Sequence, residues 1–212
     1  MKKLYIGILG LMVALSASIT NLMAQSSNYK LLPESNMVIE GTSTIHDWEA
    51  DVESINLEAD FASEIFSTTI PESAKFIRSL EVTVPVESIE SGKGGMNNKI
   101  YGALKEKKHP NISYEYRSAE LASVSEDSTS FTLNATGDLT VAGNTKSVTF
   151  PVTAKVSEGD TIWFEGAYSL NMKDYDVDPP SAMFGTIKAG EEVTIKFNVA
   201  IANQAVANSN SN

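Results

Sequence analysis

The stretch STIHDWEAD, Ser43 to Asp51, gathers the residue types closest to chemistry: His46, Asp47 and Trp48 in a row. A histidine beside an aspartate suggests acid–base work, but that work needs the carboxylate at an imidazole nitrogen. Neighbours on an extended segment point to opposite faces, so His46 and Asp47 are badly placed for it. The chain has no cysteine nucleophile and no G-x-S-x-G elbow. Zinc asks for three or four ligands at suitable spacing, and only His46 and His109 are histidines. The run DYDVDPP sets Asp174, Asp176 and Asp178 at positions one, three and five of a calcium loop. Position six is Pro179 and position twelve is Gly185, where such a loop needs glycine and glutamate, so it reads as an acidic, proline-rich loop. GKGGMNN is glycine-rich but lacks the G-K-[ST] ending of a phosphate loop. His46 and Trp48, two apart, share a face. They are either a turn residue beside a core tryptophan or a polar–aromatic pair at the mouth of a cavity.

The elements that must position these residues are strands. SLEVTVPVES puts Leu80, Val82, Val84 and Val86 on one face. SFTLNATGDLTV, KSVTFPVTAKV and EEVTIKFNVAI alternate in the same way, and period two marks a strand with one buried face. Further strands are expected at about 28–32, 36–45, 48–61, 111–121 and 161–171, separated by turn signals such as AGNTK, SEGDT and SEDST. PESAKFIRSL, 71–80, allows one or two helical turns. GGMNNKIYGALKEKKHP carries Ile100, Ala103, Leu104 and Lys107 at helical spacing and is closed by His109-Pro110. The expectation is an all-β fold: a single extended antiparallel β-barrel of about eight strands with one or two short helices, closed because closure removes exposed edges.

Residues 1–24 read as a secretory signal peptide: Lys2-Lys3, an uncharged apolar run, then Ala24 before Gln25. The run is short for a membrane span and no second one follows, so cleavage is favoured over an anchor, leaving no stable span. The expected domain is 25–203, with 204–212 a polar tail. Loss of Lys2 and Lys3 takes the formal charge from -11 to -13, which disfavours nucleic acid and anionic headgroups. With no cysteine, stability comes from burial without disulfides.

A barrel of about eight strands is either filled by side chains or leaves room for one small ligand. Phe61, Tyr114, Tyr116 and Phe131 face inward by alternation, as do Phe150, Phe164, Tyr168 and Phe197. Periodicity does not separate an ordinary filled core from an apolar tunnel.

VPVESIESGKGGMNNKIYGALKEKKHPNISYEY resembles the centre of the YceI-like family of exported bacterial proteins. ATGDLTVAGNTKSVTFPVTAKV, with its G-D-L-T-V-x-G-x-T-K hairpin, resembles it more closely, and YSLNMKDYDVDPPSAMFGTIKAGEEVTIKFNV fits the family's last loop and strand. The resemblance covers about Leu31 to Ile201. It implies a lipocalin-like barrel whose apolar tunnel holds a polyisoprenoid or similar amphiphile, such as a quinone tail. It is compatible with a homodimer, which the sequence neither supports nor excludes. The chain departs from the family at Glu34, where a histidine is expected, and at Asn97 and Asn98, where aspartate is common; headgroup chemistry therefore stays open.

The leading expectation is a periplasmic or secreted carrier that encloses an isoprenoid or other lipid, with no catalysis, no metal and no other cofactor. Its chain-lining candidates are Met37, Ile39, Val82 and Val84, then Tyr114, Tyr116, Phe131 and Ala135, then Phe164, Tyr168 and Phe197. His46, Trp48, Asn97 and Tyr101 are candidates for the mouth and head. Met183 and Phe184, after the stiff Pro179-Pro180, are candidates to fold over one end. The alternatives are a filled structural or stress-response domain acting through a protein partner, and an enzyme on lipid-like substrates, for which no convergent nucleophile and base are found.

Overall fold

The computed structural model describes residues 29–62, 76–126, 129–157 and 161–203. The expected signal segment 1–24, the tail 204–212 and residues 71–75 of the expected helical turn lie outside them. Among the described residues twelve strands form in chain order: β1 (Tyr29–Leu31), β2 (Asn36–Ser43), β3 (Trp48–Val52), β4 (Asn56–Phe61), β5 (Ile77–Pro85), β6 (Ile89–Glu90), β7 (Asn111–Val124), β8 (Ser130–Val141), β9 (Asn144–Ser157), β10 (Thr161–Asn171), β11 (Ser181–Ala182) and β12 (Ile187–Asn203). One α-helix, α1 (Gly94–Ala103), follows β6. It stops where Lys105 turns left-handed at φ 57°, well before His109-Pro110. Among the described residues no helix is long and apolar enough to cross a membrane. Ile77 and Arg78, in the stretch that allowed helical turns, belong to β5 together with the expected strand residues Ser79 and Leu80, and pairing with β4 outweighs the local helical signal.

The ladder order is β4-β5-β7-β8-β9-β10-β12-β2-β3-β6, with β1 and β11 paired to β12. Read as segments, this path has two ends. Read along the chain, it closes. β3 and β4 are one run interrupted at 53–55, and β5 and β6 are one run kinked by a 3₁₀ turn at Val86–Ser88. β4 pairs with β5, β3 pairs with β6, and Glu53 N–H donates to Ser88 O between them. The two long runs therefore pair along most of their length. The all-β, antiparallel barrel class is as expected, but the ladder has ten strands where about eight were expected, because two of the eight chain runs are each broken in two.

Register sorts the side chains. On the outer face, Thr132 pairs with Thr153, Thr136 with Thr149 and Thr140 with Thr145 by hydroxyl contacts at 3.3, 2.8 and 2.8 Å. The alternate residues Leu133, Ala135 and Leu139 face inward. A slip by one residue would exchange the two sets, so the pattern itself pins the register. Ala142 and Gly143, both at positive φ, make the two-residue turn between β8 and β9 inside the expected AGNTK signal.

Two apolar plugs occupy the ends of the barrel. One gathers Tyr29, Phe61, Phe76, Phe131, Ile162 and Ile201. The other gathers Val141, Val148, Leu170, Met172, Tyr175 and Val177. Next to the second, Ile89 and Ile100 dock α1 against Ala50, Val52 and Val84.

Candidate functional site: an apolar cavity between two plugs

Along β12 the inward residues run Val193, Ile195, Phe197, Val199, Ile201. The first and last are buried, and the three between keep accessible surface. β10 repeats this: Ile162 and Leu170 are buried, while Phe164 and Tyr168 between them are not fully covered. Inward side chains that stay accessible face a space. The space is a cavity of about 180 Å³ bounded by all eight runs. A cavity near 150 Å³ with such a lining stays dry and accepts an apolar guest. The choice between a filled and a hollow interior is thus decided for a hollow middle.

Two inward glycines keep the middle open. A Cβ at Gly166 would lie 2.5 Å from Cζ of Phe197, and one at Gly137 would lie 2.4 Å from Cζ of Tyr114. Each ring occupies the space that a side chain at the facing glycine would take. Phe150 sits among them, its ring centroid 5.6 Å from Tyr114, 5.4 Å from Tyr168 and 6.2 Å from Phe197.

Nine of the sequence candidates lie on the wall. They are Met37 on β2, Val82 and Val84 on β5, Tyr114 and Tyr116 on β7, Ala135 on β8, Phe164 and Tyr168 on β10, and Phe197 on β12. Eight do not lie there. Phe131 faces inward but is packed solid in the first plug, against Phe76 at 5.7 Å. Ile39 and Trp48 pack into the helix-covered end, and Trp48 Nε1 donates to Thr42 O at 2.9 Å. His46 is exposed on a turn, its N–H bonded to Ser43 Oγ and its Nδ1 2.6 Å from Asp47 O. The expected mouth at His46 and Trp48 is therefore a surface turn beside a core tryptophan.

Asn97 is buried, but its side chain is used locally. It accepts from Ser91 N and Oγ at 2.9 and 2.6 Å and donates to Glu90 Oε1 at 2.5 Å, tying α1 to the preceding turn. Tyr101 Oη lies 2.9 Å from Glu87 O and 3.0 Å from Ile89 O, sharing its one hydrogen across that turn. Met183 and Phe184 do not reach inward. Both have left-handed backbone, and they stand 70% and fully exposed. Two consecutive positive-φ residues aim the loop outward. Alternation carries no information there.

The DYDVDPP segment has a structural task. A 3₁₀ turn at Met172–Tyr175 is capped by Asn171, whose side chain accepts from Lys173 N. Tyr175 and Val177 then point into the second plug. Asp176 and Asp178 point out and pair with Lys105 and Lys173 at 2.9 and 2.7 Å. Among the described residues no three acidic or metal-ligating side chains converge.

Sequence reasoning placed Phe61 and Phe150 inward without assigning them to the site. It placed Val152 and Val199 on buried strand faces, again without assigning them, and did not single out Leu57 or Ile112; all four also line the cavity. Their alternation was the available signal. What it lacked was the depth of each residue along the barrel.

Among the described residues the wall holds no charged side chain. Its polar atoms come from Ser113, which points outward by alternation, and from Tyr114, Tyr116 and Tyr168. The Tyr114 hydroxyl is buried and has no hydrogen-bond partner. Burial, with smaller contributions from Tyr116 and Asp138, pushes its pKa up to about 12. The Tyr175 hydroxyl is likewise buried without a well-formed partner. Its pKa is raised by burial first and then by the nearby Tyr168.

The comparisons with known proteins agree with this geometry. A family model for the YceI-like domain matches residues 29–201. No curated protein matches. A polyisoprenoid binding domain from Saccharophagus degradans superposes with a TM-score of 0.62 at 10% identity, over 84% of this chain and 99% of its own. Burkholderia cenocepacia BcnA gives 0.59 at 20% identity, over 78% and 95%. The Campylobacter jejuni YceI protein gives 0.53 at 18% identity, over 71% and 82%. At these identities the structures establish a shared fold, and the family match extends over most of the chain: the protein belongs to the YceI-like family.

Proposed function

We propose that the protein is an exported carrier that encloses an isoprenoid or other long-chain amphiphile inside the barrel. The observation that carries this reading is the aromatic-lined cavity between two apolar clusters, with no charged side chain among the described residues of its wall. Such a wall offers a prenyl chain continuous apolar contact, roughly 25 cal/mol for each Å² removed from water. Among the described residues the wall offers a guest apolar contact and presents no charged group for bond chemistry. That wall supports a reading of enclosure without catalysis. The fold shared with a polyisoprenoid binding domain supports the class of ligand by analogy. The signal-like segment at 1–24 supports export to the periplasm or beyond.

The test is native mass spectrometry of the full chain, expressed with its own leader and purified from the bacterial periplasm, followed by solvent extraction. A stoichiometric lipid adduct is expected. A bare protein mass, unchanged after incubation with prenyl alcohols and quinones, would overturn the carrier reading. Recovery of unprocessed protein from the cytoplasm would overturn the export reading.

A further inference from the structure

We infer that the guest enters and leaves the cavity sideways, through a seam in the barrel wall between residues 31–37 and residues 53–57. This inference rests on the carrier reading and adds the route.

Ladder hydrogen bonds hold a barrel wall together, so a guest passes most easily where neighbouring strands share the fewest of them. Among the described residues the shortest ladder between neighbouring runs joins β2 to β3. It has four rungs, from Gly41–Trp48 to Val38–Asp51, and ends there. Continued in the same register, Asn36 would face Glu53 and Glu34 would face Ile55. Both runs leave strand geometry at that height. On one lip, residues 32–35 make a turn between β1 and β2. Pro33 has no N–H to offer, and Ser35 N–H bonds back to Leu32 O at 3.0 Å. Ser35 Oγ accepts from Ala200 N–H at 3.0 Å and donates to Ala200 O at 3.2 Å. On the other lip, 53–55 interrupt the run between β3 and β4, and Glu53 N–H donates to Ser88 O at 2.9 Å. Each lip is thus tied to the strand behind it. Among the described residues no backbone hydrogen bond crosses from 32–36 to 53–57.

Apolar side chains fill the seam. Leu31 and Met37 on one lip and Ile55 and Leu57 on the other line the cavity, and all four are only partly buried. Met37 and Ile55 pack toward the helix-covered end, Leu31 and Leu57 toward the first plug. The seam therefore spans the interval between the plugs, where the cavity lies. On its outer side Pro33, Glu34, Asn36, Glu53, Ser54 and Asn56 are exposed. Side chains swing between rotamers far faster than strands separate, so this seam opens at the cost of packing contacts and not of ladder bonds. A second gap lies where the β5–β7 ladder stops at Glu81–Glu115. Ile77, Leu80, Ala119 and Leu121 beside it all pack toward the first plug, so it lies over the filled end.

The chain has no cysteine, so one introduced pair gives one bridge. The experiment uses the solvent-stripped full chain, processed at its leader, carrying Pro33→Cys and Asn56→Cys on the two exposed outer lips. A short bis-maleimide closes the pair, and native mass spectrometry follows farnesol. Bridging is expected to slow uptake, and release from protein loaded beforehand, by at least about tenfold against the unbridged double variant, since other routes break ladder hydrogen bonds. The same bridge across the second gap, between Ser79→Cys and Ser118→Cys, is expected to leave both rates unchanged. Ile55→Ala, which thins one lip without a thiol, is expected to speed uptake about threefold through lost packing across the seam. Uptake indifferent to the bridge at 33 and 56, or slowed instead by the bridge at 79 and 118, would overturn the inference while leaving the carrier reading intact. Uptake no faster in Ile55→Ala than in the unsubstituted protein would also overturn it. Farnesol bound by no variant, together with no extractable lipid, would remove the carrier reading and this inference with it.

Discussion

On β8, Phe131 and Ala135 point to the same side of the sheet two inward positions apart, yet they live in different materials. Phe131 is 2% exposed and wedged against Phe76 in the first plug, while Ala135 looks onto the cavity. Strand, register and alternation are the same for both. The difference lies in what the far wall supplies. At the ends, β1 and the 3₁₀ turn at Met172–Tyr175 bring in Tyr29, Met172 and Tyr175 to fill the bore. In the middle nothing is inserted, and Tyr114 and Phe197 lie back over Gly137 and Gly166. Alternation builds the tube, and inserted segments decide where it is solid.

The comparison breaks most readily in a plug. Phe131→Ala is expected to cost about 3–5 kcal/mol, the usual range for an aromatic removed from a packed core. Urea denaturation with an unchanged m-value measures it. A loss well under that range would mean the plug is as loose as the middle.

Ala135→Trp probes the hollow. Overpacking a dense core costs about 1–3 kcal/mol, and here the indole has space to enter, so the cost should fall at or below the low end. Guest loading should be abolished, read by native mass spectrometry. Retained loading, or a barrel that fails to fold, would contradict the placement of the cavity.

Alkaline pH gives a smaller, graded effect. The Tyr114 pKa is raised from 10.0 to about 12 in the folded chain, so the folded state holds this proton more tightly than the unfolded state. The stabilisation is complete below pH 10 and is lost as pH rises through about 12. Tyr175 shifts in the same direction. Denaturation midpoints should fall over that interval, and less steeply in Tyr114→Phe. A midpoint flat in pH would show the phenol to be solvated.

The smallest effect belongs to the surface. His46→Ala should change stability by no more than about 0.5 kcal/mol, as for most exposed positions, and should leave guest retention as it was. A retention defect in this variant would move the mouth of the cavity back to the His46 turn.

Much of this architecture was legible in advance. The strands at 48–61, 111–121, 130–141 and 161–171 follow from period-two alternation, and the Ala142–Gly143 hairpin from its turn residues. Other features were not. The start of β5 at Ile77 and Arg78 hid behind a helical local pattern. The outward aim of Met183 and Phe184 depends on two left-handed residues with no sequence mark. The acidic run at 174–178 read as a proline-rich loop, and nothing in it marked its alternate residues Tyr175 and Val177 as the ones that plug the barrel.

The sequence by itself determined the all-β class, the inward and outward faces of each strand and the family, because each is written in local period or in short contiguous motifs. Only the tertiary structure decided that the tube is closed by pairing 48–61 with 77–90, solid at both ends and hollow between, with one tyrosine hydroxyl left unpaired in the wall. The physical reason is that filling is a property of what faces a residue across the bore. That neighbour comes from a strand far away in sequence, and no pattern along one strand reports it.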